Sequence, residues 1–509
     1  MRYILLTWFV FCSLFVCGQQ PFRSDSLSNN FSASQRIDFL FRNASLMQDS
    51  LGQKFGEATL SFQVDERNFR NSQVAQSRSD ATLETRGINY LGKKTVVSGM
   101  FSYQKSWEDS LSYFLAGLED NSMPSYYFVE KAGQFERQTY RANAHIGQQV
   151  AKHWSVNAAL DYTHHWATRS VDPRMDLYSM TWIFKPAVSY AFGRYLLSLQ
   201  PIYGRGSGQT DLSYKKSSAS EGSAYSKSHY VSNYGYGTIQ RLDTATLRQY
   251  DRYRGLYFQG RFRPRSYELL WSLGYEKRIN ENTHDAVNLD NYYVTQSFDL
   301  QTYSIDVLIA QQRANGASLQ LQFFTRNGVD AGRFRGHNYF LSQWKLDLSA
   351  VQNFQEQSAW PIALGLNVNA AYDERDDAAS SHYAERQWLT FALPFSVTRI
   401  WNRRERLRLQ LNPSLRLPLR NSLVIPATQI NSFSLGIAYP EYYYYAVKSM
   451  SIASRLTFLT SKLWTKSPLG FFVEANVTKP FRYRGDIFPG TTLYSGNNFQ
   501  AKAGLSFYL

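Results

Sequence analysis

Asn498-Phe499-Gln500-Ala501-Lys502-Ala503-Gly504-Leu505-Ser506-Phe507-Tyr508-Leu509 ends the chain. Phe499, Ala501, Ala503, Leu505, Phe507 and Leu509 fall on one face of an extended strand, and Gln500, Lys502, Gly504, Ser506 and Tyr508 on the other. Period-2 alternation reaching an aromatic carboxyl-terminal segment is the pattern of a membrane-closing strand in a transmembrane β-barrel. The same alternation recurs upstream. It is clear at Trp154/Val156/Ala158/Leu160/Tyr162, at Tyr267/Leu269/Trp271/Leu273/Tyr275, at Leu389/Phe391/Leu393/Phe395/Val397 and at Leu407/Leu409/Leu411. It is also read at Phe433/Leu435/Ile437, where the surrounding stretch 420–470 alternates least regularly. Short connections such as Leu91-Gly92-Lys93-Lys94 and Phe192-Gly193-Arg194 contrast with long ones at 106–134, 206–250, 279–297 and 373–386. Short turns on one side and long loops on the other fit a barrel with periplasmic and outer faces. The expected fold is all-β: a transmembrane antiparallel β-barrel of about 16 to 18 strands.

Composition agrees with a wall that is apolar only on alternate residues. The mean hydropathy is −0.41, yet 36 Tyr, 34 Phe and 11 Trp make the chain 16% aromatic. Tyr and Trp suit the membrane–water boundary, where the ring is buried and the polar tip stays wet. Met1-Arg2-Tyr3, the apolar run Ile4 to Val16 and Cys17-Gly18 read as an export signal, too short to span a bilayer. We expect a signal peptide at 1–18, a periplasmic N-terminal extension at 19–54 with one or two helical turns, and a barrel at 55–509. Both cysteines, Cys12 and Cys17, lie in the leader, so no disulfide, thiolate metal site or cysteine nucleophile is expected beyond it. The formal charge is +15, and losing the leader removes Arg2 alone among charged residues. Export makes nucleic acid an unsuitable partner for this basic chain. Anionic lipid and anionic solutes fit better.

Short motifs resemble those of a family of Bacteroidota outer-membrane barrels with no assigned chemistry. They are Asn43-Ala44-Ser45-Leu46 (without the family's proline), Met123-Pro124-Ser125-Tyr126-Tyr127, the tripeptide Asp172-Pro173-Arg174, and Tyr234-Gly235-Tyr236-Gly237. The resemblance implies a barrel in the outer membrane of a Gram-negative bacterium, working beside a TonB-dependent receptor. It carries over no catalytic residues.

Several constellations are candidates for function. Arg406, Arg408 and Arg416 lie on the polar face opposite Leu407/Leu409/Leu411, and Arg261, Arg263 and Arg265 share another face. Lumen arginines would lower the cost of anion entry. Pairing with lumen carboxylates, or with lipopolysaccharide phosphates near a rim, is the competing use. His153, Ser155 and Asn157 share a face, as a serine hydrolase of the outer membrane would require, but residues in line on one strand rarely converge on one reacting atom. Histidines are scattered without metal-ligand spacing, so no metal or cofactor is expected. Glu441-Tyr442-Tyr443-Tyr444-Tyr445 reads as an interfacial aromatic girdle, with sugar stacking as the alternative. The expected function is solute uptake, as a pore or as an accessory to a TonB-dependent system. A barrel lipase or protease, and an adhesin or structural barrel, are the other classes. Expected partners are outer-membrane lipid and lipopolysaccharide and the barrel-assembly machinery.

Overall fold

The computed structural model describes residues 31–48, 54–117, 122–215, 223–240, 246–284, 294–311, 315–332, 336–355, 358–402, 405–463 and 468–508. The expected leader and Leu509 lie outside them.

In chain order the strands are β1 (Phe55–Arg67), β2 (Ser77–Leu91), β3 (Thr95–Leu111), β4 (Ser125–Val129), β5 (Gly133–Gln149), β6 (Trp154–Arg169), β7 (Arg174–Phe192), β8 (Tyr195–Ser213), β9 (Tyr230–Tyr234), β10 (Ile239–Gln240) and β11 (Thr246–Phe262). They continue as β12 (Tyr267–His284), β13 (Gln296–Gln311), β14 (Ala317–Gly332), β15 (Tyr339–Phe354), β16 (Ile362–Asp377), β17 (His382–Ala392), β18 (Phe395–Asn402), β19 (Glu405–Val424), β20 (Ser449–Thr460), β21 (Leu469–Pro480) and β22 (Asn498–Tyr508). All but β4, β9 and β10 form one antiparallel sheet of nineteen segments. β17 and β18 both lie between β16 and β19 and are halves of one strand interrupted at Leu393-Pro394, so the wall has eighteen strands. The sheet closes where β22 pairs with β1, with Leu60 opposite Leu505 and Phe62 opposite Ala503. Closure removes the two edges that this sheet would otherwise present.

The terminal segment alternates as its sequence requires. Phe499 faces out and Ser506 is buried, its hydroxyl 2.8 Å from that of Thr59 on β1. Leu505 and Phe507 lie an even number of residues from Phe499 and so on the same side of the strand. Around the wall the outward positions carry exposed leucine, valine, isoleucine and aromatic side chains, among them Leu60, Leu199, Leu256, Leu273, Leu366 and Leu456.

Two aromatic rows bound this apolar belt. Near the short turns, Trp154, Tyr190, Phe192, Tyr195, Phe262 and Tyr267 contact one another in sequence, with centroids 4.5 to 6.1 Å apart. Toward the long loops, Tyr103–Tyr140, Trp182–Tyr203, Tyr275–Tyr303 and Trp344–Tyr372 pair across adjacent strands. Tyr267 and Tyr275 on β12 belong to opposite rows. Eight residues separate them, roughly 26 Å along the strand at ~3.3 Å each, or about 20 Å along the axis at a tilt of ~40°. Among the described residues no helix is long and apolar enough to cross a membrane.

The lumen is not empty. At the short-turn end, helix α1 (Phe31–Arg42) and the turn Ala44–Leu46 sit inside the wall, with Phe39, Leu40, Leu46 and Met47 packed on Ile88, Val96, Leu196, Leu270 and Leu308. At the long-loop end, the β3–β5 and β8–β11 connections fold inward and form a three-stranded sheet of β10, β9 and β4. The β19–β20 connection adds a wide helical turn (Ser434–Ala438) running into helix α2 (Tyr439–Ala446).

Two expectations are corrected here. Phe433/Leu435/Ile437 is helical, not a strand. Phe433 and Ile437 are four residues apart and both are buried, the spacing of one helix face. The stretch 373–386 is no long loop, because β16 runs to Asp377 and β17 begins at His382.

Candidate functional site

The long-loop plug is fastened to the wall through a few buried polar groups. Asp377 ends β16 and is wholly buried. Its carboxylate accepts hydrogen bonds from the Tyr236 N–H (2.7 Å), the Thr238 N–H (3.0 Å), the Thr238 hydroxyl (2.5 Å), the Asn338 amide (2.9 Å) and the Ser380 N–H (3.2 Å). This contact explains the glycines of Tyr234-Gly235-Tyr236-Gly237. A methyl at Gly235 would run into the Asp377 carboxylate. Gly237 has φ of +115°, and a methyl there would run into the His382 ring.

Next to it lies a fully buried ion pair that joins three segments. Arg386 on β17 donates to Glu441 of α2 (2.7 Å) and to the Tyr236 hydroxyl (2.6 Å). Burial holds the Tyr236 phenol well above its usual pKa despite the facing guanidinium, so it stays a phenol beside Glu441. A second buried pair, Arg375–Asp373 at 2.9 Å, stands two residues down β16 from Asp377. Asn233 of β9 donates to the Pro124 carbonyl, tying the Met123–Tyr127 motif to the plug sheet.

Between plug and wall lies a cavity of about 310 Å3. Phe114, Tyr126, Tyr236, Phe433 and Ile437 come from the plug. Thr163, Ser179, Thr181, Gln249, Tyr253 and the pair Asp251–Arg278 (2.8 Å) come from the wall. The plug side is therefore mainly aromatic, and the wall side offers hydroxyls, amides, the Tyr253 ring, the Asp251–Arg278 pair and the Arg375 guanidinium.

The short-turn plug is fastened differently. Arg36 pairs with Glu268 (2.5 Å), which also takes Arg263 (2.6 Å). Asp38 pairs with Arg86 (2.8 Å) and Arg42 with Asp306 (3.0 Å). Asn43 and Ser45, from the Asn43–Leu46 motif, are buried and both bond the Gln259 side chain.

Of the sequence-derived arginines, Arg261 and Arg263 reach the short-turn plug, Arg416 reaches the long-loop plug, and Arg406 and Arg408 stay on the wall. Arg261 donates to the Gln48 carbonyl (2.9 Å), and Arg263 engages Glu268. Arg416 donates to the Tyr444 (2.8 Å) and Val447 (3.2 Å) carbonyls at the end of α2 and stacks on the Tyr444 and Phe69 rings. Arg408 is buried and Arg406 half-buried on the inward face of β19, opposite Thr457 and Leu459 of β20. Asp172-Pro173-Arg174 forms the β6–β7 turn. Buried Arg169 donates to the Val171 and Pro173 carbonyls there, and Asp172 accepts the Lys215 N–H (3.1 Å). The tyrosine run Glu441–Tyr445 is no girdle on the outer face, because it is α2, inside the mouth. Tyr443 is buried there against Tyr483, and Tyr445 lies on Trp388.

His153 and Asn157 are bonded to different partners, and no hydrogen bond joins His153, Ser155 and Asn157 to one another among the described residues. His153 meets the Ala191 carbonyl (2.8 Å), and Asn157 donates to Ser189 (3.0 Å). Among the described residues no group of three His, Cys, Asp or Glu side chains is placed to hold a metal. Arg386 went unread in the sequence, Glu441 was read only as part of the tyrosine run, and Asp377 was read as a loop residue. A charged residue gives no signal of an ionic fastening until the fold buries it against its partner.

A family model, "Family of unknown function (DUF6850)", matches residues 44–509. The chain belongs to that family. No curated protein matches it. Solved structures of similar shape include the copper transporter OprC (8% identity, TM-score 0.39, covering 89% of this chain and 81% of that one). They also include the RagAB peptide transporter (8%, 0.39, 96% and 83%) and the outer membrane transporter YddB from Escherichia coli (9%, 0.38, 89% and 81%). Likeness at this level carries nothing about cargo.

Proposed function

We propose that this family member is an integral outer-membrane barrel that supports solute uptake, described here in a closed state. The observation that carries the reading is an apolar belt between two aromatic rows, around a lumen occupied from both ends with a cavity between. An exposed apolar surface this extensive needs hydrocarbon against it. A structural barrel needs neither a cavity nor two separate inserts. The cavity's aromatic and hydroxyl lining suits a small amphipathic solute. Passage requires both inserts to move, and the long loops form the gate on one side.

Liposome swelling tests this. The wild-type barrel is expected to admit sugars and amino acids slowly. A variant lacking 31–48 and carrying Asp377→Asn is expected to admit them readily. A folded double variant, sealed to every small solute, would sink the uptake reading in favour of an adhesin or structural barrel. The partner that belongs with this reading is a TonB-dependent receptor, supported by the family resemblance alone. Stoichiometric co-purification from native membranes checks it.

A further inference from the structure

On the outer face of β11 the side chains change character within one step. Phe258 and Leu256 belong to the exposed apolar belt, and Arg254, Arg252 and Arg248 follow toward the long loops. Arg252 stands directly opposite Arg205 of β8, and Arg254 directly opposite Lys277 of β12. Like charges facing each other across neighbouring strands repel. Acidic neighbours relieve only part of this. Arg252 pairs with Glu281, and Lys277 with Asp299 at 2.5 Å. Arg205 donates to the Tyr203 hydroxyl (2.9 Å), and Arg254 is exposed with no ion pair or hydrogen bond among the described residues.

The height of the patch identifies its ligand. Arg205 follows Tyr203, and Lys277 follows Tyr275, both of which belong to the long-loop aromatic row. Residues one outward step beyond that row lie level with lipid headgroups if the belt is in hydrocarbon. Four cations in two facing pairs, one of them unpartnered, match a multiply charged phosphate, which guanidinium groups bind through paired N–H donors. We infer that Arg205, Arg252, Arg254 and Lys277 form a docking site for the phosphates of a phosphorylated glycolipid headgroup of the lipid A type. The inference rests on the membrane reading above but not on the uptake reading.

The test uses the full barrel in phosphatidylcholine bilayers doped with bisphosphorylated lipid A or its dephosphorylated form, with bound lipid counted by native mass spectrometry. The wild type is expected to retain the phosphorylated lipid preferentially. Arg254→Gln with Lys277→Gln should lower that retention by roughly tenfold or more, each charge near the surface contributing several-fold. Arg254→Lys should keep most of it. Heat-modified gel mobility verifies that each variant is folded. Equal retention of the two lipids by the wild type, or unchanged retention in the double variant, overturns the inference. Complete displacement by millimolar inorganic phosphate overturns it in favour of a free-anion site. Failure of the barrel to insert at all overturns the membrane reading with it.

Discussion

The two inserts that fill the lumen differ in how far their ion pairs are removed from water. At the short-turn end, α1 and its turn combine a buried apolar cluster with ion pairs, and the outer ion pairs are wet. Arg42 is 45% exposed and Asp38 46%. At the long-loop end, Arg386, Glu441 and Asp377 are essentially inaccessible and sit among Phe128, Tyr236, Phe298, Tyr339 and Phe433. Exposed ion pairs each contribute little, about 0 to 1 kcal/mol. Removing one partner of a buried pair costs far more, about 3 to 5 kcal/mol, because the other charge is left desolvated and alone. The lesson is an asymmetry of charge: the short-turn insert leans on apolar packing with ion pairs that are partly wet, whereas the long-loop insert depends on ionic groups that are wholly buried.

The sharpest break of that comparison is Glu441→Ala. It strands the Arg386 guanidinium and should destabilise the plug by about 3 to 5 kcal/mol. Proteolysis in the β8–β11 and β19–β20 connections should accelerate while the strands stay protected. Glu441→Ala combined with Arg386→Met should recover much of the loss. Asp377→Asn comes next. It removes the charge that collects five donors and should cost about 2 to 3 kcal/mol of plug stability, read by the same proteolysis. Gly237→Ala forces a side chain into a left-handed backbone and against His382, for about 1 to 3 kcal/mol. Arg42→Ala is the smallest, within about 1 kcal/mol. It should leave the thermal unfolding of the barrel unchanged and modestly raise the exchange rate of α1 amides. A large loss from Arg42→Ala, or none from Glu441→Ala, would reverse the asymmetry.

The same contrast decides what could be read from the sequence. Strands were plain where the inward face is polar, as in β6, β19 and β22, because alternation then survives. They were obscured where inserts dock. β13 presents Phe298, Leu300 and Leu308 inward and β15 presents Tyr339 and Leu341, so both faces are apolar and the period is lost. β11 was masked by its outward arginines. The three motifs Asn43–Leu46, Met123–Tyr127 and Tyr234–Gly237 were visible, but their use was not. Each turns out to be a fastening of an insert, and glycine next to a buried carboxylate has no signature before folding. The tyrosine run misled because a helix inside the mouth and a girdle outside it need the same residues.

The account depends most on a lumen closed by both inserts, and the described chain, which contains no cysteine, makes that directly measurable. Ser179→Cys places a thiol in the cavity wall. Its reaction with a charged, membrane-impermeant thiol reagent should be slow in the otherwise native barrel and at least tenfold faster when 31–48 are deleted and Asp377→Asn is added. Rapid labelling at the same rate in both backgrounds would contradict the closed lumen.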